Sequence, residues 1–215
     1  GQSVDRYTLT NKNGMVANIS WFFQNEEAGI ILEDDIIPDP SFFRFCRELL
    51  DKYKDDPRVF AIIGNNLSAP ETPEHPDSYW FSKHGYGAYW GWASWRRVWD
   101  KFDPGMTEWG RVGHTPEFRK YFLSKAEMAE GGKLFDMNFD GTMTSTWDYQ
   151  LDFAQILADA GNIIAEANLC RNIGFDGDGT HTVKASDSRN KGGLQSARFP
   201  LKHPEKLEMD PERDL

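Results

Sequence analysis

Two short runs constrain this chain more than anything else in it. Gly29-Ile-Ile-Leu32 and Val59-Phe-Ala-Ile-Ile63 are apolar at every position. A strand with one wet face alternates polar and apolar residues; a strand covered on both faces does not. Segments of helical period surround both runs. Met15–Asn25 places Val16, Ile19 and Phe23 on one face, and Pro38-Asp-Pro-Ser41 opens a helix with Asp39 or Ser41 as N-cap ahead of Phe42, Phe43, Phe45 and Leu49. That helix ends near Tyr53–Asp56, because Pro57 disfavours helical geometry in the residue before it. Helix, strand, helix, strand in succession predicts an α/β domain with a parallel sheet, in which the two runs are neighbouring central strands.

The rest of the chain reads less sharply. Leu67–Asp77 is a loop and Tyr79–Ser82 a short strand. Ser94 is expected to cap a helix carrying Trp95 and Trp99; Trp92, Trp95 and Trp99 are spaced for one helical face, which assigns them to the core. A helix is predicted over Pro116–Glu130, ended by Gly131-Gly132, and another over Asp148–Ala160, stopped by Gly161 ahead of a strand at Ile163–Ala165. From Lys184 onward charge, glycine and proline dominate. The expected organisation is one domain over 1–183 and an extended tail over 184–215.

Composition removes several function classes. The net charge of −10 at pH 7 lacks the electrostatic footprint of a nucleic-acid binder or of a protein held on anionic lipid. Eight Trp, seven Tyr and fifteen Phe carry too much burial for a disordered chain. No apolar run approaches the roughly 18 residues of a membrane span, and no export signal opens the sequence. Cys46 and Cys170 are too few for a disulfide framework, and Cys46 reads as a buried reduced thiol. A cytoplasmic protein is the expectation, with the sequons at Asn18 and Asn66 falling by chance.

Glu33-Asp-Asp35 sits where the first apolar run leaves the sheet, the place where open α/β sheets bind ligands. Adjacent carboxylates repel, and neighbours on an extended chain point to opposite sides, so three cannot converge on one ion. Either the turn is simply solvated, or the acids divide their work between a divalent metal and a polar ligand group such as ribose hydroxyls. Hard oxygen donors favour Mg²⁺ or Mn²⁺. Asp148 opens a helix, where an acid serves equally as a cap. Asp176 and Asp178 alternate as in a calcium loop, but His181 and Asp187 stand where an EF-hand needs Gly and Glu. Gly85–Gly91 has the wrong glycine spacing for a dinucleotide loop; Tyr86, Tyr89 and Trp90 within it suit either the core or stacking on a sugar. Arg96 and Arg97 are within reach of a diphosphate, although a solvated helix face is the plainer reading.

Ile30-Ile-Leu-Glu-Asp-Asp-Ile-Ile-Pro-Asp-Pro-Ser-Phe-Phe43 resembles the acidic-motif strand of GT-A glycosyltransferases, and more closely that of bacterial nucleotide-diphospho-sugar transferases distantly similar to N-acetylglucosaminyltransferase I. The resemblance continues through Tyr79–Phe102 and Thr146–Thr182. It implies a GT-A fold, a Rossmann-like mixed sheet flanked by helices. It also implies that the first strand-helix unit is lacking, since only Gly1–Thr10 precedes the first helix. The implied activity is metal-dependent transfer of a sugar from a nucleotide-diphosphate sugar to an acceptor hydroxyl, on a glycan or another molecule, with inversion, in bacterial glycan biosynthesis. By the same resemblance Asp35 binds Mn²⁺ or Mg²⁺, Glu33 and Asp34 approach the nucleotide, and His181 reaches the metal or diphosphate. A glycine-containing loop near the donor puts Tyr89 and Trp90 there. Asp148 becomes the general base, with Asp152 one turn on as the alternative. The rival is a non-catalytic carbohydrate- or nucleotide-binding module on the same scaffold.

Overall fold

The computed structural model describes residues 12–70, 76–83, 89–122, 124–144, 146–176, 193–209 and 213. In chain order the elements are α1 (Lys12–Asn25), β1 (Ala28–Ile31), β2 (Ile36–Pro38), α2 (Pro40–Lys52), β3 (Val59–Ile63), β4 (Tyr79–Ser82), β5 (Trp92–Trp95), α3 (Arg96–Trp99), α4 (Trp109–Val112), α5 (Pro116–Arg119), α6 (Lys125–Phe139), α7 (Asp148–Leu157), β6 (Gly161–Ala165) and β7 (Cys170–Asn172).

The fold is mixed α/β: a five-stranded sheet in the order β1-β5-β3-β6-β4, flanked by helices. β3 and β6 run parallel, while β5 runs antiparallel to β1 and β3, and β4 antiparallel to β6. β1, β3 and β6 therefore point the same way, and their carboxyl ends share one edge. β2 and β7 form a separate antiparallel ribbon, with Ile36 opposite Asn172 and Pro38 opposite Cys170.

β3 is buried at every residue, as a wholly apolar strand must be. Its expected neighbour is not beside it. β5 separates Gly29–Leu32 from Val59–Ile63, and β1 lies at an edge of the sheet among the described residues. The segment holding Ser94 and Trp95, where a helix is expected to start, is the intervening strand, buried at all four residues; the helix that carries Trp99, α3, begins only after it. Spacing alone misleads here, because a strand buried on both faces has no alternation to betray it, and Trp suits a packed pleated surface. The Ser94 hydroxyl caps no helix. It donates to the Phe60 carbonyl at 2.7 Å, tying β5 to β3.

Asp39 is the N-cap of α2: its carboxylate accepts from the Ser41 amide at 2.8 Å, and Tyr53 closes the other end. The helix expected over Pro116–Glu130 is instead two. α5 is capped by Thr115; Ser124 caps α6 by accepting from the Glu127 amide at 3.0 Å. Gly131 and Gly132 lie inside α6. Each glycine costs about 1 kcal/mol there, which the Ser124 cap and the burial of Phe135 offset. α7 stops at Leu157, earlier than expected, with Asp159 at φ 49°, and β6 begins at Gly161. A methyl at Gly161 would lie 2.4 Å from the Ser82 carbonyl oxygen, so the β4–β6 pairing requires glycine.

One large core packs both faces of the sheet; a second cluster of Met106, Trp109, Phe118, Phe135, Phe153 and Ile156 joins α4–α6 to α7. Residues 193–209 form neither helix nor strand and run over α2 toward β4. Ser196 and Ala197 hydrogen-bond to Asp39 and Ser41, Arg44 lies 4.0 Å over the Phe199 ring, and Leu201 is buried.

Candidate functional site

The shared carboxyl edge gathers a group of buried polar side chains. Past β3, Asn65 and Asn66 are buried; past β6, Glu166 and Asn168 are buried. Asn66 donates to the carbonyls of Ala165 and Glu166, and its amide donates to Asn168 Oδ1 at 3.0 Å. These residues fasten two loops together, and the Asn66 sequon is thereby internal.

Past β1 the chain turns through Glu33-Asp34-Asp35, with the Ile36 amide donating to the Glu33 carbonyl at 3.2 Å, and enters β2. Asp34 is exposed, whereas Glu33 and Asp35 are half-buried. The β2–β7 ribbon then brings a distant part of the chain against Asp35. The Ile173 amide donates to the Asp35 carbonyl at 2.8 Å, and the Asn172 side chain hydrogen-bonds the Asp35 carboxylate. A methyl at Gly174 would stand 2.6 Å from Asp35 Oδ2, so glycine leaves this carboxylate its position. Burial raises the Asp35 pKa, against the lowering effect of its own backbone amide. Its Oδ1 is buried and accepts no hydrogen bond among the described residues.

Asp148 is the first residue of α7, half-buried, at the positive end of the helix. It faces the acidic turn. Burial pushes the Glu33 pKa up to about 7, and the charges of Asp35, Asp148 and Asp34 push in the same direction, while a hydrogen bond from the Trp147 side chain opposes them. Four carboxyl groups, Glu33, Asp34 and Asp35 from the β1–β2 turn and Asp148 from α7, therefore share one electrostatic neighbourhood.

Trp147 holds that neighbourhood together. Its ring stacks on Trp92 at 5.9 Å and lies 6.0 Å from Tyr89. Tyr89 is only 3% exposed, packed against both tryptophans with its hydroxyl bonded to Asp152. Trp90 is half-buried at the same edge. Asp152 is 1% exposed, which leaves it beyond the reach of an incoming hydroxyl; of the two acids on α7 only Asp148 is accessible. His181 and Tyr86 lie outside the described residues.

Arg96 and Arg97 are committed elsewhere. Arg96 pairs with Glu27 at 2.6 Å, and Arg97 donates to the carbonyls of Tyr53, Lys54, Asp56 and Val59 while lying 4.3 Å over Trp95.

Asp35 offers hard carboxylate oxygen, and its buried Oδ1 lacks a hydrogen-bond donor among the described residues, which suits Mg²⁺ or Mn²⁺. No group of three His, Cys, Asp or Glu among the described residues is arranged to hold an ion. A cation at Asp35 would thus rest on few protein ligands, as Mg²⁺ does when substrate phosphates and water complete its shell.

Sequence reasoning missed Trp147, Asn172 and Gly174. All three border motifs it singled out, but their roles come from contacts with the distant Glu33 and Asp35. No helix among the described residues is long and apolar enough to cross a membrane. No protein-family model matches this sequence, and no curated protein matches it.

Proposed function

We propose that this chain is a glycosyltransferase domain that moves a sugar from a nucleotide-diphosphate sugar to an acceptor hydroxyl. The observation that carries the reading is that Asp148, half-buried at a helix start, faces the Glu33–Asp35 turn at the carboxyl edge of the sheet. A Mn²⁺ or Mg²⁺ ion held by Asp35 would supply positive charge against the leaving diphosphate. Asp34, in solvent, and Glu33, whose carboxyl is part-protonated near neutrality, would bind the nucleotide's hydroxyl groups. Asp148 would accept the acceptor's proton as the acceptor oxygen bonds to the anomeric carbon, on the face opposite the breaking bond to the diphosphate, giving inversion. Asp152, buried, would hold Tyr89 and through it the position of Trp147.

The test is to incubate the protein with Mn²⁺ and a panel of nucleotide-diphosphate sugars, and to follow transfer or donor hydrolysis by mass spectrometry. Donor-dependent turnover abolished by Asp35→Ala is the expected result. Donor binding without turnover would favour the non-catalytic module. Neither binding nor turnover with any donor would sink both readings.

A further inference from the structure

Among the contacts that hold segment 196–209 over α2 and β4 is a titratable side chain, His203, at the end of a chain of phenols. His203 Nδ1 lies 2.8 Å from the Tyr79 hydroxyl, which lies 2.8 Å from the Tyr53 hydroxyl. The other ring nitrogen, Nε2, faces Glu48 Oε1 at 3.6 Å. A neutral imidazole carries one proton, and a bare nitrogen facing a carboxylate would be repelled. The proton therefore sits on Nε2, and Nδ1 accepts from Tyr79. Tyr79 in turn accepts from Tyr53. Both phenols are buried and their pKa values are raised by burial, so both keep their protons.

We propose that His203 is a pH-sensitive fastener: its neutral ring docks the C-terminal segment on α2 and β4, and its protonation loosens that segment. A proton on Nδ1 would force the Tyr79 hydroxyl to turn toward Tyr53. The Tyr53 proton would then lose its acceptor inside the core, which is costly for a buried donor. The surrounding charges do not reverse this. Lys52, on α2, opposes a second positive charge; Glu48, also on α2, favours it; Asp77 lies just before Tyr79 on the β4 side. Burial is the largest influence and lowers the His203 pKa, in agreement with the geometry. The His203 side chain is 34% exposed, so solvent protons reach it directly.

The same segment walls a cavity of about 100 Å³, with Ser196, Arg198 and Lys202 on one side and Ala165, Glu166 and Leu169 on the other. Loosening the segment would open that cavity at the sheet's carboxyl edge. The remaining fasteners near His203 do not titrate in this range: Lys202 and Ser78 exchange backbone and hydroxyl hydrogen bonds at 2.8 and 2.9 Å.

Hydrogen exchange of the amides around Leu201–Glu205, corrected for intrinsic rates, tests the proposal at about pH 7.5 and about pH 5.5. Protection in the unaltered protein should fall by about three- to tenfold at the lower pH, the scale of one lost hydrogen bond. His203→Gln, whose side-chain carbonyl accepts from Tyr79 at both values, should show no such fall. Equal pH dependence in the variant, or none in the unaltered protein, would overturn the proposal. NMR titration of the unaltered protein needs no variant: the His203 ring should titrate below about 6.5 together with a shift of Tyr79 resonances. Titration at or above the ordinary value would overturn it as well.

Discussion

Trp147 hydrogen-bonds Glu33 through its side chain, so the residue before Asp148 ties the start of α7 to the end of β1. The indole is itself pinned on Trp92, which pairs with Ile31 across β5 and β1. The acidic turn and Asp148 are thus set by a rigid aromatic bracket rather than by a flexible loop.

Trp147→Phe should keep the ring and remove the donor. A hydrogen bond to a charged group is worth roughly 1.5–3 kcal/mol. Urea unfolding should show a loss of about that size at about pH 8, where Glu33 is ionised, and a smaller loss near pH 5, where its bond strength drops with its charge. An equal loss at both pH values would mean that only packing was disturbed.

Glu33 makes the protein less stable as pH rises. Its pKa is about 7 when folded against an ordinary value of 4.5, so between these values the folded state holds a proton that the unfolded chain has released. Stability from this group is present below about pH 4.5 and declines up to about pH 7. Glu33→Gln removes the effect. The stability gap between wild type and variant should move by about 1–3 kcal/mol in the variant's favour from about pH 4.5 to about pH 8. A constant gap across that range would refute the assignment.

Mn²⁺ should raise the melting temperature at about pH 8, because it binds the folded acidic turn and relieves carboxylate repulsion. Asp35→Asn should abolish the shift. Gly174→Ala, whose methyl would press on Asp35 Oδ2 at 2.6 Å, should weaken Mn²⁺ binding by about tenfold or more while leaving the protein folded. Isothermal titration of both variants with the metal alone decides this, and an unchanged affinity in both would remove Asp35 as a ligand.

The two acids of α7 should separate cleanly. Asp148→Asn should lower donor-dependent turnover by about 10²-fold or more with the melting temperature little changed. Asp152→Ala should instead destabilise by about 1–3 kcal/mol, because Asp152 is buried and its hydrogen bond to Tyr89 is lost. Paired kinetics and thermal melts would expose the reverse pattern, which would move the proton acceptor to Asp152.

The legible parts of the sequence were those fixed by neighbours along the chain. Asp39 as a cap, β3 as a wholly buried strand and Asp148 at a helix start all follow from residues a few positions away. β5 was not legible, because its tryptophans fit a helical period and only pairing with β1 and β3 makes them a strand. The β2–β7 ribbon was hidden for the same reason: three residues per strand, one of them proline, carry no signal until Cys170–Asn172 lies opposite. Tyr89 showed its chemistry but not its direction. Whether an aromatic residue faces a ligand or a core is decided by what covers it, here Trp92 and Trp147.

Placing β3 between β5 and β6 has a consequence for biosynthesis. Both of its partners are translated after it, and the parallel one, Gly161–Ala165, emerges only after β4, β5 and α3–α7 have been made. Until then Val59–Ile63 is a bare, uncharged, β-prone segment of the kind that templates aggregation. α2, which precedes it and packs against it, offers early shelter. A nascent chain stalled before β6 should therefore need a chaperone at this one strand, and release of β6 from the ribosome should end that need.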